Sequence, residues 1–248
     1  MTEAPIPRLP FTTTLRAIAT DFLTVWLLLS FVRMFVVENY RIPSGSMTPT
    51  LVGGKIAHFD VDGDGDLDYV LVYPAEYEVF INTGTDYVPR LCQRLPQETE
   101  DRVRRLARRR YDNILVDKCW YWFRKPERGD IAVFKTPRGI FNRSAPIYVK
   151  RVVGRPGETL RIAGNRLWVD GKPVEAPPFF RNHFYDTRVQ LNGAPFEKKN
   201  LGENEYLFFG DNSLNSYDGR AWGPVPSENV KGRVFFRYWP LANFGVVK

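Results

Sequence analysis

The sequence predicts a mainly β, antiparallel fold behind a single N-terminal membrane-spanning helix, with a mixed segment inserted early in the chain. Three observations carry that prediction. An apolar stretch, LRAIATDFLTVWLLLSFVRMFVV, runs from Leu15 to Val37. From Ile114 onward, short runs rich in β-branched and aromatic residues recur between turn residues, without strand–helix alternation. The 19 Gly and 19 Pro among 248 residues supply many turns and lean away from an all-helical chain.

Residues 1–14 are polar with several prolines, and the apolar stretch follows. Its longest uncharged run is Phe22 to Val32, only 11 residues. That length also suits a core helix or the apolar region of a cleaved signal. However, RMFVVENYRIP comes next and holds no small-x-small cleavage site. A helix over the whole stretch would be about 34 Å long, enough to cross a bilayer. Asp21 and Arg33 would then lie toward opposite ends, where charge is tolerated. An amphipathic helix lying on the membrane surface is the alternative. Arg8 precedes the span and Arg16 stands at its N-terminal end, which favours the N-terminus inside and the remainder outside.

After the span comes a Pro/Gly/Ser segment, Ile42 to Thr50. Residues 58–70 are acidic and glycine-rich. Residues 85–111 turn polar and then strongly basic, and a helix is expected there. The strand signals are ILVDKCWYWF, DIAVF, IYVKRVV, RLWVDGKPV, YLFFGD and VFFRYW. Asp170-Gly171, set between RLWV and KPV, predicts a tight hairpin.

The composition excludes several classes. There are 35 Lys+Arg against 28 Asp+Glu, a net charge of +7. Arg102, Arg104, Arg105, Arg108, Arg109 and Arg110 account for almost all of the excess; without them the balance is 29 against 28. A basic surface for nucleic acid is therefore not indicated. Two Cys and two His, with no ligand spacing among them, do not make a zinc site.

Three segments carry chemistry. In IPSGSMTPTL (42–51), Gly45 and the flanking Pro43 and Pro49 would hold Ser46 on a rigid turn. Ser46 lies nine residues past Val37, so an extended chain keeps it within about 30 Å of the membrane. In YVKRVVGRPGE (148–158), the strand period puts Lys150 and Arg151 on opposite faces. If Lys150 faces inward, desolvation lowers its pKa, and the neutral amine can take a proton from a serine. Arginine cannot do this. The third segment, GDNSLNSYDGRAWG (210–223), is dense in turn formers and holds an Asp218–Arg220 pair beside Trp222. Taken singly, each reads as well as a turn, a solvated edge strand and a polar loop. A Ser/His/Asp triad using His183 and Asp186 lacks a GxSxG elbow and is disfavoured.

Together, in this order, the three segments resemble bacterial signal peptidase I, the membrane-anchored Ser/Lys endopeptidase. RGDIAVF (128–134) and the terminal VFFRYWPLANFG support the likeness. The resemblance implies a signal-peptidase-like antiparallel catalytic domain. It implies Ser46 as nucleophile and Lys150 as general base, with the Ser46 N–H and the Ser44 hydroxyl as oxyanion hole. It implies that Ser216 orients Lys150 and that Asp218 and Arg220 form a supporting ion pair. Ile42, Met47, Tyr148 and Val149 become candidates for small apolar pockets that accept an A-x-A-like site. Gly219 stands where the family usually has Ser. The implied partners are signal-peptide-bearing preproteins and the lipid bilayer. The implied location is the bacterial inner membrane, single pass, with the catalytic part on the extracytoplasmic side. No cofactor is expected for catalysis.

Relatives of that kind pass from LVGGKI-like residues almost directly to ILVDKCWYWFR-like ones. The organisation expected is therefore a tail and anchor (1–38), a first catalytic part (39–57), an insertion (58–111) and the remainder of the catalytic domain (112–248). Within the insertion, DVDGDGDLD places Asp60, Asp62, Asp64 and Asp68 at positions 1, 3, 5 and 9 of a calcium-type loop, with Gly65 at position 6. Leu71 stands where an EF-hand has Glu, and the flanks look like strand–loop–strand, so a structural Ca²⁺ is the expectation. The arginine run fits a solvated helix face or anionic headgroups. Cys92 and Cys119 are able to pair outside the cytoplasm. Two other readings stand beside the main one: a specialised maturation peptidase of the same clan, and a non-enzymatic membrane-anchored calcium-binding module.

Overall fold

The computed structural model describes residues 11–74, 76–84, 87–92, 95–137, 146–186, 196–198 and 200–247. Helix α1 (Phe11–Phe31) passes into one π-helical turn, Val32–Val36, and then into strand β1 (Val37–Arg41). A 3₁₀ turn at Gly45–Met47 follows. Next come β2 (Gly53–Phe59), β3 (Asp68–Val72), β4 (Tyr77–Asn82), β5 (Tyr87–Cys92), α2 (Gln97–Leu106) and β6 (Arg108–Tyr111). β7 (Asn113–Asp117), α3 (Trp120–Phe123), β8 (Ile131–Lys135) and β9 (Ile147–Gly154) return to the region of β1. β10 (Leu160–Ala163), β11 (Arg166–Val169), β12 (Lys172–Pro173), α4 (Phe179–Asn182) and β13 (Glu197–Lys198) form a side layer. The chain closes with β14 (Glu205–Phe209), α5 (Gly219–Trp222), β15 (Val225–Pro226), β16 (Val230–Trp239) and β17 (Gly245–Val246).

All described pairings are antiparallel, as the short strands and frequent turns predict. The largest sheet runs β1-β7-β16-β8-β9-β14-β15, with β17 on β16. A second runs β12-β11-β10-β13, and a third β5-β4-β3-β2-β6. The Asp170-Gly171 turn joins β11 to β12 with both residues at positive φ (48° and 78°), the two-residue hairpin its sequence predicts.

Leu15–Val36 is the one described helix long and apolar enough to cross a membrane, and no part of its apolar window is buried against the other described residues. Its C-terminal end is tied to the main sheet. Lys118 N–H donates to Val36 O at 2.8 Å, and Lys118 Nζ donates to Met34 O at 2.6 Å. β1 then pairs with β7 and leads directly into the 3₁₀ turn.

Three local expectations need correction. The run CWYWF is not strand. Asp117 Oδ1 accepts from the N–H groups of Cys119 (2.8 Å) and Trp120 (2.9 Å), which ends β7 and starts the short α3. The basic stretch is only half helical. α2 stops at Leu106, and Arg108, Arg109 and Arg110 lie on β6, held by pairing to Ile56, Lys55 and Gly54 of β2. β6 is a sheet edge, where charged side chains oppose further pairing. The boundary expected after residue 57 falls inside β2, because the third sheet starts at Gly53. Cys119 is a free thiol that donates to Phe35 O, and the Cys92 side chain lies outside the described residues.

β9 is an interior strand between β8 and β14, and this decides the fate of both of its cations. Lys150 is 1% exposed and Arg151 is 2% exposed, so neither is solvated. Arg151 closes a bidentate pair with Asp211, Nε to Oδ1 at 2.8 Å and Nη2 to Oδ2 at 2.7 Å. Its Nη1 donates to Gly129 O at 2.8 Å, and the guanidinium lies 3.8 Å over the Phe179 ring. Removing one partner of such a pair strands a buried charge. Asp211→Ala is therefore expected to cost about 3–5 kcal/mol of stability, read as a lowered unfolding midpoint of the full chain in detergent. A midpoint equal to that of the wild type would contradict this.

Candidate active site

Ser46 occupies the middle of the 3₁₀ turn Gly45–Met47. Thr48 N–H closes the turn on Gly45 O at 3.0 Å. The first N–H groups of such a turn, that of Ser46 among them, have no partner within it. The Gly45 and Ser46 carbonyls both also meet one residue from outside the turn. Asn212 N–H donates to Ser46 O at 3.1 Å, and Asn212 Nδ2 donates to Gly45 O at 3.1 Å.

Lys150 reaches this turn from β9, and its Nζ stands 2.5 Å from Ser46 Oγ. Burial lowers its pKa from the ordinary lysine value to about 8. Asp218 and Asp211 pull it back up, and Arg220 opposes them. Desolvation wins because the amine has lost nearly all of its water. The result is an amine beside a serine hydroxyl and within reach of deprotonation near neutral pH.

Ser44 is exposed, with its Oγ 3.4 Å from Ser46 Oγ. A cavity of about 260 Å³ opens beside the pair, lined by Ile42, Met47 and Val149 together with Ser44, Ser46 and Lys150. Tyr40, Pro43 and Ile147 complete much of its wall. Tyr148, expected with this group, stands outside the lining. Its ring packs against Trp222 at 5.1 Å, and Lys150 Nζ lies 5.5 Å from its centroid.

The loop after β14 supplies the rest. Asp218 and Arg220 make a bidentate pair that is fully buried, Nε to Oδ1 at 2.9 Å and Nη2 to Oδ2 at 2.8 Å. Burial alone would raise the Asp218 pKa, but the Arg220 charge and hydrogen bonds and the Gly210 N–H hold it below the usual carboxylate value. Arg220 Nη1 also donates to Ser213 O (2.9 Å) and Ser213 Oγ (2.7 Å). The two side chains expected to pair are thus paired, inside the loop after β14. Ser216 lies against the Ser46 turn, since a Cβ added at Gly210 would strike both Ser216 Oγ and Ser46 O. The expected hydrogen bond from Ser216 to Lys150 is not made. The buried Ser216 hydroxyl favours the charged form of Asp218 but completes no hydrogen bond among the described residues. At Gly219, a Cβ would lie 2.8 Å from both Leu207 Cδ1 and Phe208 O, so the serine usual in the family has no room here.

The acidic loop between β2 and β3 stands apart from this site. Carboxylate oxygens of Asp60, Asp62 and Asp68 lie within 4.8 Å of one another, and Asp64 does not join them. Loop N–H groups already use several of these oxygens. Val61 and Asn82 donate to Asp68, both at 2.7 Å, and Gly63 and Gly65 donate to Asp60. His183 takes no part in the Ser46 site; it stacks on Phe179 at 4.4 Å, and burial lowers its pKa to about 4.

Sequence reasoning missed Asp211, Asn212 and Gly210, although all three lie in the segment it singled out. It also missed Glu78, a buried carboxylate on β4 that meets Asn212. One signal was available for Glu78: it is an acid in phase with Phe80 on a strand apolar at Tyr77, Val79 and Ile81.

Residues 107–239 match the family described as signal peptidase, peptidase S26. Lys150, Ser216, Asp218 and Arg220 fall inside that match, and Ser46 precedes it. The chain is 33% identical over 137 residues to signal peptidase I of Leptolyngbya laminosa, covering 54% of this chain and 63% of that protein. It is 27% identical over 254 residues to signal peptidase I of Pseudomonas fluorescens, covering 89% of this chain and 72% of that protein. It is also 34% identical over 134 residues to a probable thylakoidal processing peptidase of Arabidopsis thaliana, covering 52% of this chain and 34% of that protein. The match thus spans less than two thirds of the Leptolyngbya and Arabidopsis proteins. With more than half of its length inside the family match, the chain belongs to the signal peptidase family, peptidase S26.

Proposed function

We propose that this chain is a membrane-anchored serine endopeptidase that removes N-terminal signal peptides after an A-x-A-like site, using Ser46 and Lys150. The observation that carries the proposal is the 2.5 Å approach of a buried, pKa-lowered Lys150 amine to Ser46 Oγ. Neutral Lys150 takes the hydroxyl proton as Ser46 Oγ bonds to the scissile carbonyl carbon. The tetrahedral oxyanion receives hydrogen bonds from the Ser46 N–H and the Ser44 hydroxyl. Lys150 then passes the proton to the departing amine, leaving a Ser46 ester. Next it deprotonates a water, which cleaves that ester and restores the serine. Every proton is handled by one amine, so the cycle needs no cofactor.

Other residues take supporting roles. Ser216 orients Lys150. Its position against the Ser46 turn, with the hydroxyl buried, supports this. Asp218 and Arg220 brace the loop that carries it. Ile42, Met47 and Val149 accept small side chains at the cleavage site. The substrate backbone pairs in extended form near these segments.

The anchor is α1, and exposed Trp122, Phe123, Trp239, Leu241 and Phe244 add apolar contact with lipid. The catalytic part faces outward from a bacterial inner membrane crossed once, and nucleic acid is not a partner. Residues 1–38 form the tail and anchor. The third sheet is an addition to a catalytic domain built from the rest. Its Asp60, Asp62 and Asp68 take a Ca²⁺ that steadies the β2–β3 loop and has no part in catalysis. A maturation peptidase with a few dedicated substrates is the second reading, favoured by the thylakoidal processing relative.

Ser46→Ala and Lys150→Ala are expected to lower cleavage of a generic preprotein by about 10³-fold or more while the protein remains folded. Normal cleavage by either variant would remove the mechanism, and cleavage of dedicated substrates alone would favour the second reading. The rate kcat/KM should rise with pH through an apparent pKa near 8, the value to which burial lowers Lys150. Lys150→Arg should be inactive at every pH, because a guanidinium never deprotonates. Chelation of calcium by EDTA should lower the thermal midpoint by a few degrees, about 1 kcal/mol, without slowing the chemistry. No change in the midpoint, with no heat of calcium binding in calorimetry, would dismiss the ion.

A further inference from the structure

The third sheet buries both of its faces. Ala57, Phe59, Val70, Val79 and Ile81 pack with Val103 of α2. The opposite face carries Ile56, Leu71 and Phe80, with Tyr73 against them. Glu78 belongs to that second face, since it pairs with Leu71 and lies two residues from Phe80. This is the face that meets the nucleophile turn. A Cβ added at Gly45 would lie 2.7 Å from Leu71 Cδ2 and 2.9 Å from Tyr73 Oη.

Glu78 is fully buried. Its Oε2 accepts from Asn212 Nδ2 at 2.7 Å and from Tyr73 Oη at 3.2 Å. The same Asn212 amide nitrogen donates to Gly45 O, and the Asn212 backbone N–H donates to Ser46 O. Asn212 Oδ1 in turn accepts from Asn215 N–H at 3.1 Å. A continuous chain of hydrogen bonds therefore runs from β4 of the added sheet to both carbonyls flanking the Ser46 amide.

Stability does not account for the acid. Burying a carboxyl is costly, and apolar replacements of buried polar groups are often neutral or stabilising. The cost is visible here. Burial pushes Glu78 up to about 7, and the Glu76 charge adds to this against the hydrogen bonds from Asn212 and Tyr73. Asn212 can satisfy Gly45 O and Glu78 together only in one orientation, which is the geometric content of the arrangement.

We infer that Glu78 is a positioning residue for the Ser46 nucleophile: its carboxyl fixes the Asn212 side chain, and Asn212 fixes the turn that aims Ser46 Oγ at Lys150 and Ser46 N–H at the developing oxyanion. The added sheet is then part of the working site, acting on it from behind. The inference rests on the Ser/Lys reading above, which makes the orientation of Ser46 matter to the rate.

The test uses the full chain in detergent with a peptide bearing an Ala-x-Ala site, and hydrogen exchange over residues 42–51 measured by mass spectrometry. Glu78→Ala should lower kcat about 10-fold with KM changed less than about twofold, because orientation and not binding is lost. Glu78→Gln keeps an acceptor for Asn212 and should restore kcat to within about twofold of wild type. Combining Glu78→Ala with Asn212→Ala should cost no more than the worse single change, as members of one network do. Exchange in 42–51 should quicken in Glu78→Ala and not in Glu78→Gln. Wild-type kcat and exchange in Glu78→Ala would overturn the inference. So would a Glu78→Gln variant as slow as Glu78→Ala, or additive losses in the double variant. Should Glu78→Ala fail to fold, Asn212→Ala carries the same kcat and exchange predictions. If the wild type and Ser46→Ala leave the peptide equally uncut, the Ser/Lys reading falls, and the exchange measurements still decide the bridge.

Discussion

In the proposed mechanism the contact between Lys150 Nζ and Ser46 Oγ needs an amine kept from water, and the packing of the fold supplies that exclusion. A lysine on an exposed strand would stay charged through the physiological range. β9 is instead interior, with β8 on one side and β14 on the other. Ala132, opposite Lys150 in the β8 register, is small and fully buried. Beneath the cavity, Ile42, Met47 and Leu51 join Ile114, Val116, Ile131 and Val133 in one apolar cluster. The site is thus the polar edge of a packed core, and its chemistry follows from the packing.

Charge near the amine is arranged in closed pairs. Arg151–Asp211 and Arg220–Asp218 are each bidentate and buried, so each guanidinium already has its carboxylate. Asp218 and Asp211 favour a charged Lys150, Arg220 disfavours it, and desolvation remains the dominant influence. An unpaired aspartate at either position would act as a strong counter-ion and hold the lysine protonated. The ion pairs therefore do more than brace the loop after β14. They also limit how far the two carboxylates raise the Lys150 pKa against desolvation.

What was legible in the sequence was local or periodic. The apolar run announced α1, the Asp170-Gly171 dipeptide announced its hairpin, and alternation put Lys150 and Arg151 on opposite faces of β9. Alternation said nothing of what covers each face, so the burial of both cations had to be seen. α3 escaped notice because two hydrogen bonds from Asp117 outweigh the strand preference of Trp and Tyr. Arg108–Arg110 read as helix because their partner strand lies more than fifty residues away. The Glu78–Asn212 bond joins residues 134 apart in sequence, and no motif spans that distance. The three segments of the site were found through their turn formers and polar side chains, whereas the contacts among them belong to tertiary structure.

The third sheet leaves and rejoins the main body at almost one point. Gly53 pairs with Tyr111, Val52 N–H donates to the Asp112 carboxylate, and Asp112 N–H donates to Val52 O at 2.9 Å. Arg237 of β16 grips the same carboxylate, so the neck is riveted to the central sheet. For the rest of the chain, everything between residues 53 and 111 amounts to a closed loop whose length costs little. Topologically it is an appendage that could be shortened without rerouting a single strand of the catalytic sheet. Energetically it is not detachable, since cutting at that neck would expose the inner side of the Ser46 turn and leave Asn212 without its carboxyl partner. A segment that is free to vary by connectivity is thereby bound to the site by contact.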